Sequence, residues 1–290
     1  MRRSSLFFII TLSSVAVLSA ACASQTVNAS GNTADTDAPA SASLTVTSQR
    51  PVASSSTGAS YSLSVSFTET PIRCTTTTIG ACTVNPCYRS STATDSNAPL
   101  PTAGTVTLMP ASGMPLAVQP QNDGVYASES IPGELPWTTG GQSVTWTWAH
   151  FPGDTAQPGD EMTLDTPPYV SLIRGSTFDE AVGTLGRTQD LTVSWTSDSP
   201  PSATDDLIVS VNAATTQIYC TFPVSAGTGV VPAAALENLQ PGEASYGVHS
   251  KQYASENMTA ADGTPWSLSF NIDATARSSY GLATGNLTIE

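Results

Sequence analysis

Positive charge is the scarcest property of this sequence. Lys and Arg together number nine in 290 residues, against 23 Asp and Glu, and charged residues of both signs amount to 11%. Globular domains average about 25% charged residues. The formal net charge is −14. Because affinity for nucleic acid comes largely from Lys and Arg on phosphates, this deficit excludes nucleic acid as a partner.

Helix-favouring composition is missing as well. Leu, Lys and Glu are few, while 21 Gly and 21 Pro are spread along the chain, and both of these residues disfavour helices. The composition therefore excludes a helical bundle or a coiled coil. The length is enough for one or two domains.

The N-terminus has the three parts of a secretory signal peptide. Arg2 and Arg3 precede an apolar run over residues 6–18, which small residues follow. This run is too short to cross a bilayer, whose core requires about 20 residues. We therefore predict a signal peptide over residues 1–21.

Residues 19–22, Ser-Ala-Ala-Cys, resemble the lipobox of bacterial lipoproteins, although Ser19 stands where that family has a branched apolar residue. The resemblance implies that Cys22 becomes the N-terminus and carries acyl chains, which would attach the protein to a membrane. Ordinary signal-peptidase cleavage after Ala21 or Ala23 is the alternative, and it would give a secreted or periplasmic protein.

Residues 22–58 are nearly all small and polar. Such a segment cannot bury enough apolar surface to offset the entropy that it loses on ordering. We predict a flexible stalk over this range, with a short strand at residues 44–48 as an alternative for its later part. A flexible chain of this length would span roughly 30–35 Å.

From residue 59 onward, apolar and polar residues alternate in short runs. Residues 61–67, Tyr-Ser-Leu-Ser-Val-Ser-Phe, have the period of a half-buried strand. Similar runs recur between Asp-Gly and Pro-Gly turns, and only residues 232–239 have a helical pattern. The spacing predicts an all-β protein with two β-sandwich domains. Since Thr166-Pro167-Pro168 interrupts strand pairing, we place the domains at residues 59–166 and 167–290.

Residues 170–275 resemble a fibronectin type III or immunoglobulin-like domain. Residues 191–195, Leu-Thr-Val-Ser-Trp, are similar to the second strand of that family, and residues 239–248 are similar to its tyrosine corner. The resemblance implies a sandwich with Trp195 in its core and Tyr246 at the corner, and it implies no activity. The order of signal, stalk, cysteine-containing domain and second domain resembles uncharacterised surface lipoproteins of Gram-negative bacteria. That resemblance implies a place on the outer membrane or cell surface.

Four cysteines remain if Cys22 carries lipid: Cys74, Cys82, Cys87 and Cys220. An exported chain keeps cysteines as disulfides, and four of them allow three pairings. The closeness of the first three favours a local loop such as Cys74 with Cys87. Cys220 then pairs with the remaining cysteine if the two domains touch. Zinc sites need closer cysteine pairs or nearby His, so we expect no metal and no cofactor.

The sequence contains no motif for a specific reaction. His150 and Asp154 could form a relay with a Ser nucleophile, but no Gly-x-Ser-x-Gly elbow supports it. Turn residues Asp205 and Asp206 could bind calcium weakly, without a complete calcium motif. Acids of the first half could supply a glycosidase pair, although acids are also common in turns: Glu129, Glu134, Asp154, Asp160 and Glu161.

Three tryptophans give the most specific indication of binding. Trp137, Trp146 and Trp148 lie within twelve positions, and the last two point to the same face of one strand. If exposed, they would form a platform for stacking on sugar rings. If they face inward, they are core residues, as large aromatic residues usually are.

The leading functional hypothesis is a non-catalytic surface module with a binding or structural role. Its partners would be a membrane, through the N-terminal lipid, and a glycan or protein ligand. The export architecture and the lack of a catalytic constellation favour this hypothesis. The alternative is a secreted, glycosidase-like hydrolase that uses the acidic loops of the first domain.

Overall fold

The described part of the chain is built almost entirely from strands, which confirms the predicted all-β fold. The computed structural model describes residues 40–50, 59–68, 76–86, 102–121, 126, 129–151, 154–173, 183–214, 216–260, 263, 265–278 and 281–290. Within these ranges the helical structure is a single short helix, α1 (Ala233–Leu236), and a 3-10 turn at Val224–Ala226. The helix lies inside the predicted helical segment, residues 232–239.

The strands are numbered in chain order. Those of the first half are β1 Ala40–Gln49, β2 Ser60–Thr68, β3 Thr77–Ile79, β4 Cys82–Pro86, β5 Val106–Met109, β6 Leu116–Val118, β7 Glu129–Pro132, β8 Ser143–Trp148, β9 His150–Phe151, β10 Asp154–Pro158 and β11 Glu161–Asp165. Those of the second half are β12 Val170–Leu172, β13 Thr184–Leu185, β14 Leu191–Ser197, β15 Asp206–Ala213, β16 Thr216–Pro223, β17 Thr228–Val231, β18 Gly242–Thr259, β19 Pro265–Thr275, β20 Arg277–Ser278, β21 Gly281–Leu282 and β22 Thr284–Ile289.

One large sheet contains strands from both halves of the chain. Its order is β3-β4-β16-β15-β18-β19-β1-β2-β7, with β22 beside β18 and β13 beside β22. β1 and β19 are parallel, with Leu44 opposite Phe270. Parallel strands cannot be joined by a tight hairpin. This pairing therefore depends on segments that are far apart in the sequence.

Two smaller sheets pack on one face of the large sheet. The sheet β6-β5-β8-β11 shares a buried cluster with β1, β2 and β19. The sheet β17-β14-β12-β20-β21 shares another with β4, β15, β16 and β18. Each pair of layers encloses apolar side chains, which confirms the β-sandwich architecture.

The two buried clusters differ in composition. The first, which we call the aromatic core, is centred on Trp137, Trp146, Trp148, Trp266 and Phe270. The second, which we call the aliphatic core, consists mostly of Val, Leu, Ile and Ala side chains around Trp195 and Phe222. The predicted burial of Trp195 is confirmed, at 2% exposure.

β18 is long enough to pack against both cores. Its first part packs in the aliphatic core and its last part against the aromatic core. Between these parts lie the buried polar residues Ser250 and Gln252. The Ser250 hydroxyl donates to the carbonyl of Pro168, and Gln252 Nε2 donates to Asp205 Oδ1 at 2.7 Å. Asp205 Oδ2 accepts the Ser202 N–H at 2.5 Å, so this carboxylate, considered above for calcium, is bonded to protein donors through both oxygens.

Tyr169 lies at the centre of the junction between the two cores. Its ring stacks on Trp137 with centroids 5.6 Å apart, and its hydroxyl donates to the Trp137 carbonyl at 3.1 Å. Arg50 lies 3.9 Å from the ring centroid and pairs with Asp198 at 2.5 Å. Burial raises the pKa of Tyr169 to about 12, against smaller opposing effects of Ser48 and Arg50. The hydroxyl therefore stays protonated at physiological pH.

The prediction of a flexible stalk over residues 22–58 is wrong for residues 40–49. These residues form β1, in which the alternate side chains Ala42, Leu44 and Val46 are buried. The alternative of a strand at residues 44–48 has the right position and is too short. The local composition is typical of a stalk. It could not reveal the strand, because the partner strand β19 lies near the other end of the sequence.

The predicted boundary after residue 166 does not separate the two cores. β4 precedes that boundary but pairs with β16, and it places Cys82 and Val84 in the aliphatic core. β19 follows the boundary and places Phe270 in the aromatic core. The open edge of a sheet can pair with a strand from any part of the chain. The order of strands in space can therefore differ from their order in the sequence.

Candidate functional site

The face of the large sheet opposite the two cores is almost entirely polar, and we call it the outer face. Alternation along each strand produces it, because successive side chains point to opposite sides. In β2, Tyr61, Leu63 and Val65 are buried in the aromatic core, whereas Ser64 and Ser66 are exposed. The strands β1, β19 and β18 of the same sheet alternate in the same sense.

Hydroxyl and amide groups cover the outer face where β2, β1, β19 and β18 lie side by side. We call this area the hydroxyl patch. Its members are Ser62, Ser64 and Ser66 on β2, Ser43, Thr45 and Thr47 on β1, Ser267, Ser269 and Asn271 on β19, and Tyr253, Ser255 and Asn257 on β18.

One row crosses this patch at right angles to the strands. Tyr253 is directly opposite Asn271, Asn271 is opposite Thr45, and Thr45 is opposite Ser64. Asn271 is 9% exposed, and its Nδ2 donates to Ser43 Oγ at 3.2 Å and to Thr45 Oγ1 at 3.3 Å. These bonds fix the side chains, so that the hydroxyls have defined positions before any ligand arrives.

Tyr253 is the exposed aromatic residue of this face. Its side chain is 60% exposed, and it is the one aromatic among the large apolar residues that are exposed in the described ranges. β15 starts at Asp206, opposite Lys251, so Tyr253 lies beyond the end of β15 and its ring is open on that side. The Lys251 ammonium lies 6.0 Å from the ring centroid.

Ionisable groups lie next to the row of Tyr253, Asn271, Thr45 and Ser64, on the side of Lys251. Burial lowers the pKa of His249, and the carboxylate of Asp273 opposes this shift. Burial likewise raises the pKa of Asp273, against the effects of His249 and Lys251. Burial and then the neighbouring Asp205 raise the pKa of Asp206. The members of the hydroxyl patch are all uncharged side chains, so the charge in this area belongs to the neighbouring ionisable groups.

The three tryptophans do not form an exposed platform. Trp137 and Trp146 are fully buried and Trp148 is 5% exposed, and the rings of Trp146 and Trp148 pack on Phe270 at 5.9 and 5.4 Å. Their strand β8 faces the large sheet, so the core alternative is the correct one. The indication missed in the sequence is the alternation at odd positions of residues 249–257, where Tyr253 stands among polar residues.

The acids of the hydrolase alternative lie in turns and at strand ends. Glu134 Oε2 accepts the Met114 N–H at 3.1 Å, and Asp160 Oδ1 accepts the Glu161 N–H at 2.9 Å, so both hold the local backbone. Glu129 and Asp154 belong to β7 and β10, and their side chains fall outside the described part, so the hydrolase alternative stays a prediction.

A metal site and a relay at His150 are two further candidates for chemistry. In the described ranges, no cluster of three or more His, Cys, Asp and Glu side chains could hold a metal ion. His150 lies on β9, next to the β8 strand end.

A disulfide joins Cys82 and Cys220, with sulfur atoms 2.08 Å apart. The two residues are directly opposite each other on β4 and β16 and are fully buried. Cys74 and Cys87 lie outside the described residues. The sequence allows three sets of two bonds. In the set that contains the Cys82–Cys220 bond, Cys74 pairs with Cys87.

The predicted signal peptide at residues 1–21, the lipidation at Cys22 and the stalk up to residue 39 also lie outside the described residues. Among the residues that are described, no helix has the length and apolarity needed to cross a membrane.

No family model matches the chain, and no curated protein matches its sequence. The outer face is therefore the feature of this chain from which a function can be inferred.

Proposed function

We propose that this chain is an exported, lipid-anchored surface protein that binds a neutral polysaccharide through the hydroxyl patch. The exposed ring of Tyr253, aligned with Asn271, Thr45 and Ser64 across four strands, is the observation that carries the proposal. Sugar rings stack on aromatic faces through their C–H groups. Their hydroxyls pair with amide and hydroxyl side chains such as those of this row.

The charge of the chain favours a neutral ligand. The net charge of −14 repels acidic polymers, and Asp206 and Asp273 lie close to Lys251, which lies beside Tyr253. The row itself consists of uncharged side chains. A neutral glycan satisfies these groups without bringing charge of its own.

The disulfide supports export. Bonds such as Cys82–Cys220 persist in oxidising compartments and are rare in the cytosol, which agrees with the N-terminal signal pattern. The Ser-Ala-Ala-Cys sequence at residues 19–22 supports lipid attachment at Cys22, on a surface of the kind found in Gram-negative lipoproteins.

We further assign residues 170–275 to the fibronectin type III or immunoglobulin-like type of sandwich. Buried Trp195 and Leu239, with Tyr246 packed on the same core, support this assignment. Such sandwiches carry many unrelated functions, so the ligand is argued from the outer face alone.

Retention on polysaccharides tests the binding proposal. The mature protein is mixed with insoluble cellulose, chitin, xylan and mannan, and the bound fraction is measured. We expect retention on at least one of them, loss of that retention in Tyr253→Ala and its survival in Tyr253→Phe. Met109→Ala, which removes another exposed apolar side chain, serves as the matched control. Retention on none of them, or equal retention of all variants, would overturn the proposal.

Fractionation tests the anchor. Cys22→Ala should move the protein from membranes to the soluble fraction. A wild-type protein that is already soluble and begins at Ser24 would contradict lipid attachment.

A further inference from the structure

We propose that the outer face carries a second polysaccharide site. The class of its ligand is taken from the proposed function, on which this inference rests. The site is a row of polar side chains that we call the amide track. It takes one side chain from each of five neighbouring strands: Asn85 on β4, Gln217 on β16, Asn212 on β15, Ser245 on β18 and Asn286 on β22.

The register aligns these side chains across the strands. Each is directly opposite the next in the pairings of the large sheet. Neighbouring strands lie about 4.8 Å apart, so the track presents one polar group at that interval over roughly 19 Å. A residue of an extended, β-linked sugar chain advances by a similar length. A glycan lying across the strands can therefore place one sugar over each strand.

Two members of the track have unused hydrogen-bonding capacity. The Oδ1 atoms of Asn85 and Asn212 are buried and have no hydrogen-bond partner among the described residues. Between them, Gln217 Oε1 accepts the Tyr219 hydroxyl at 2.9 Å, which fixes that amide. Buried polar atoms without partners cost free energy. The two oxygens are closed to solvent, so a sugar hydroxyl pairs with them only after the amide has turned toward the outer face. A hydroxyl both donates and accepts, so it can then satisfy either end of the amide.

A groove lies at one end of the amide track. Its volume is about 400 Å³, and Asn212, Ser245 and Asn286 line it together with Glu243. This volume is in the range of small-molecule sites. The Glu243 carboxylate at its wall disfavours an anionic ligand, so the groove fits the end of a neutral glycan.

Calorimetric stoichiometry tests the second site. The purified mature protein is titrated with hexasaccharides of the cellulose, chitin, xylan and mannan types. We expect two sites per chain for one of these probes. The double variant Asn85→Ala/Asn212→Ala should keep one site and bind at the other at least about tenfold more weakly, because two hydrogen bonds to the ligand are lost.

Tyr253→Ala provides the reciprocal variant, since it should remove the other site and leave the amide track intact. The site retained by each variant shows that the variant is folded, and Thr221→Ala, an exposed outer-face change on β16, should alter neither site.

The outcomes separate the two proposals. One site that Tyr253→Ala removes and the double variant leaves unchanged would overturn the amide track and leave the proposed function standing. One site that only the double variant removes would support the track and overturn the role of Tyr253. A single site weakened by both variants would overturn the claim of two sites. Binding to none of the probes would overturn both proposals.

Discussion

The aromatic core and the aliphatic core share one sheet but are stabilised by different means. The aliphatic core is crossed by the Cys82–Cys220 disulfide, and its Trp195 donates a hydrogen bond to the Val224 carbonyl at 2.8 Å. The aromatic core contains four Trp side chains, and the Nε1 atoms of Trp137 and Trp146 have no acceptor among the described residues.

This difference shows how two cores that share one sheet reach stability in different ways. Large rings bury enough apolar area to offset the free-energy cost of an indole N–H that has no acceptor. The smaller side chains of the aliphatic core bury less area per residue, and a covalent bond with a long loop supplies the rest. The variants below should separate these contributions.

Loss of the disulfide should have the largest effect. In the chain-entropy model, a bond that closes a loop of more than 100 residues contributes roughly 5 kcal/mol. The sequence separation of Cys82 and Cys220 is 138, so Cys82→Ala/Cys220→Ala should lower the free energy of unfolding by about that amount. Urea denaturation of the oxidised wild type and the variant measures it. Equal midpoints would show that the bond does not support the aliphatic core.

Truncation of Phe270 should come next. This fully buried ring contacts both Trp146 and Trp148, so Phe270→Ala should cost about 3–5 kcal/mol of unfolding free energy. The matched change in the aliphatic core is Phe222→Ala, because Phe222 is slightly more exposed and contacts Trp195 alone among the tryptophans. A larger loss in the Phe222 variant would contradict the assignment of the aromatic rings as the main support.

Replacing tryptophan by phenylalanine should distinguish the two indole environments. Trp195→Phe removes the indole donor from the Val224 carbonyl, which then keeps the Gly227 N–H at 3.3 Å. Trp146→Phe removes a donor that has no acceptor among the described residues. We expect Trp195→Phe to cost about 1–2 kcal/mol more than Trp146→Phe. Chemical denaturation of both variants gives the comparison, and equal costs would mean that the hydrogen bond contributes nothing net.

The smallest effect should come from Asp273, on the outer face of β19. Burial raises the pKa of its carboxyl in the folded state. The folded protein therefore binds this proton more tightly than the unfolded chain. The resulting stabilisation is present below the unfolded pKa, about 4, and is lost as the pH rises through the folded pKa.

Asp273→Asn should consequently be more stable than wild type at pH 7, with the gain disappearing near pH 3. Thermal unfolding at both pH values measures the difference. A destabilised variant at pH 7 would show instead that the charged carboxylate is favourably paired with His249 and Lys251.

Particular residues show how far the sequence could be interpreted. The alternation at residues 61–67 and 191–195 predicted two strands that the structure contains, and Pro232 marked the start of the one described helix. The same reasoning placed Trp146 and Trp148 on one face of a strand but could not decide which face was buried. That decision depends on the sheet that covers β8, and its residues are far away in the sequence.

The candidate site could not be predicted for the same reason. Asn85, Gln217, Asn212 and Asn286 are scattered over the sequence and form a row only through the registers of four strand pairs. In the sequence, Tyr253 is an ordinary residue of an alternating strand. Its exposure depends on the tertiary structure, because β15 begins opposite Lys251 and does not reach Tyr253.

By itself, the sequence determined the all-β class and several strand positions, because alternation and turn residues are local properties. The tertiary structure alone decided that residues 40–49 belong to the sheet, that Cys82 meets Cys220, and which polar side chains share a row. Those outcomes depend on pairing between distant backbone segments. Many registers satisfy the local pattern equally well, and only burial of both cores at once selects one of them.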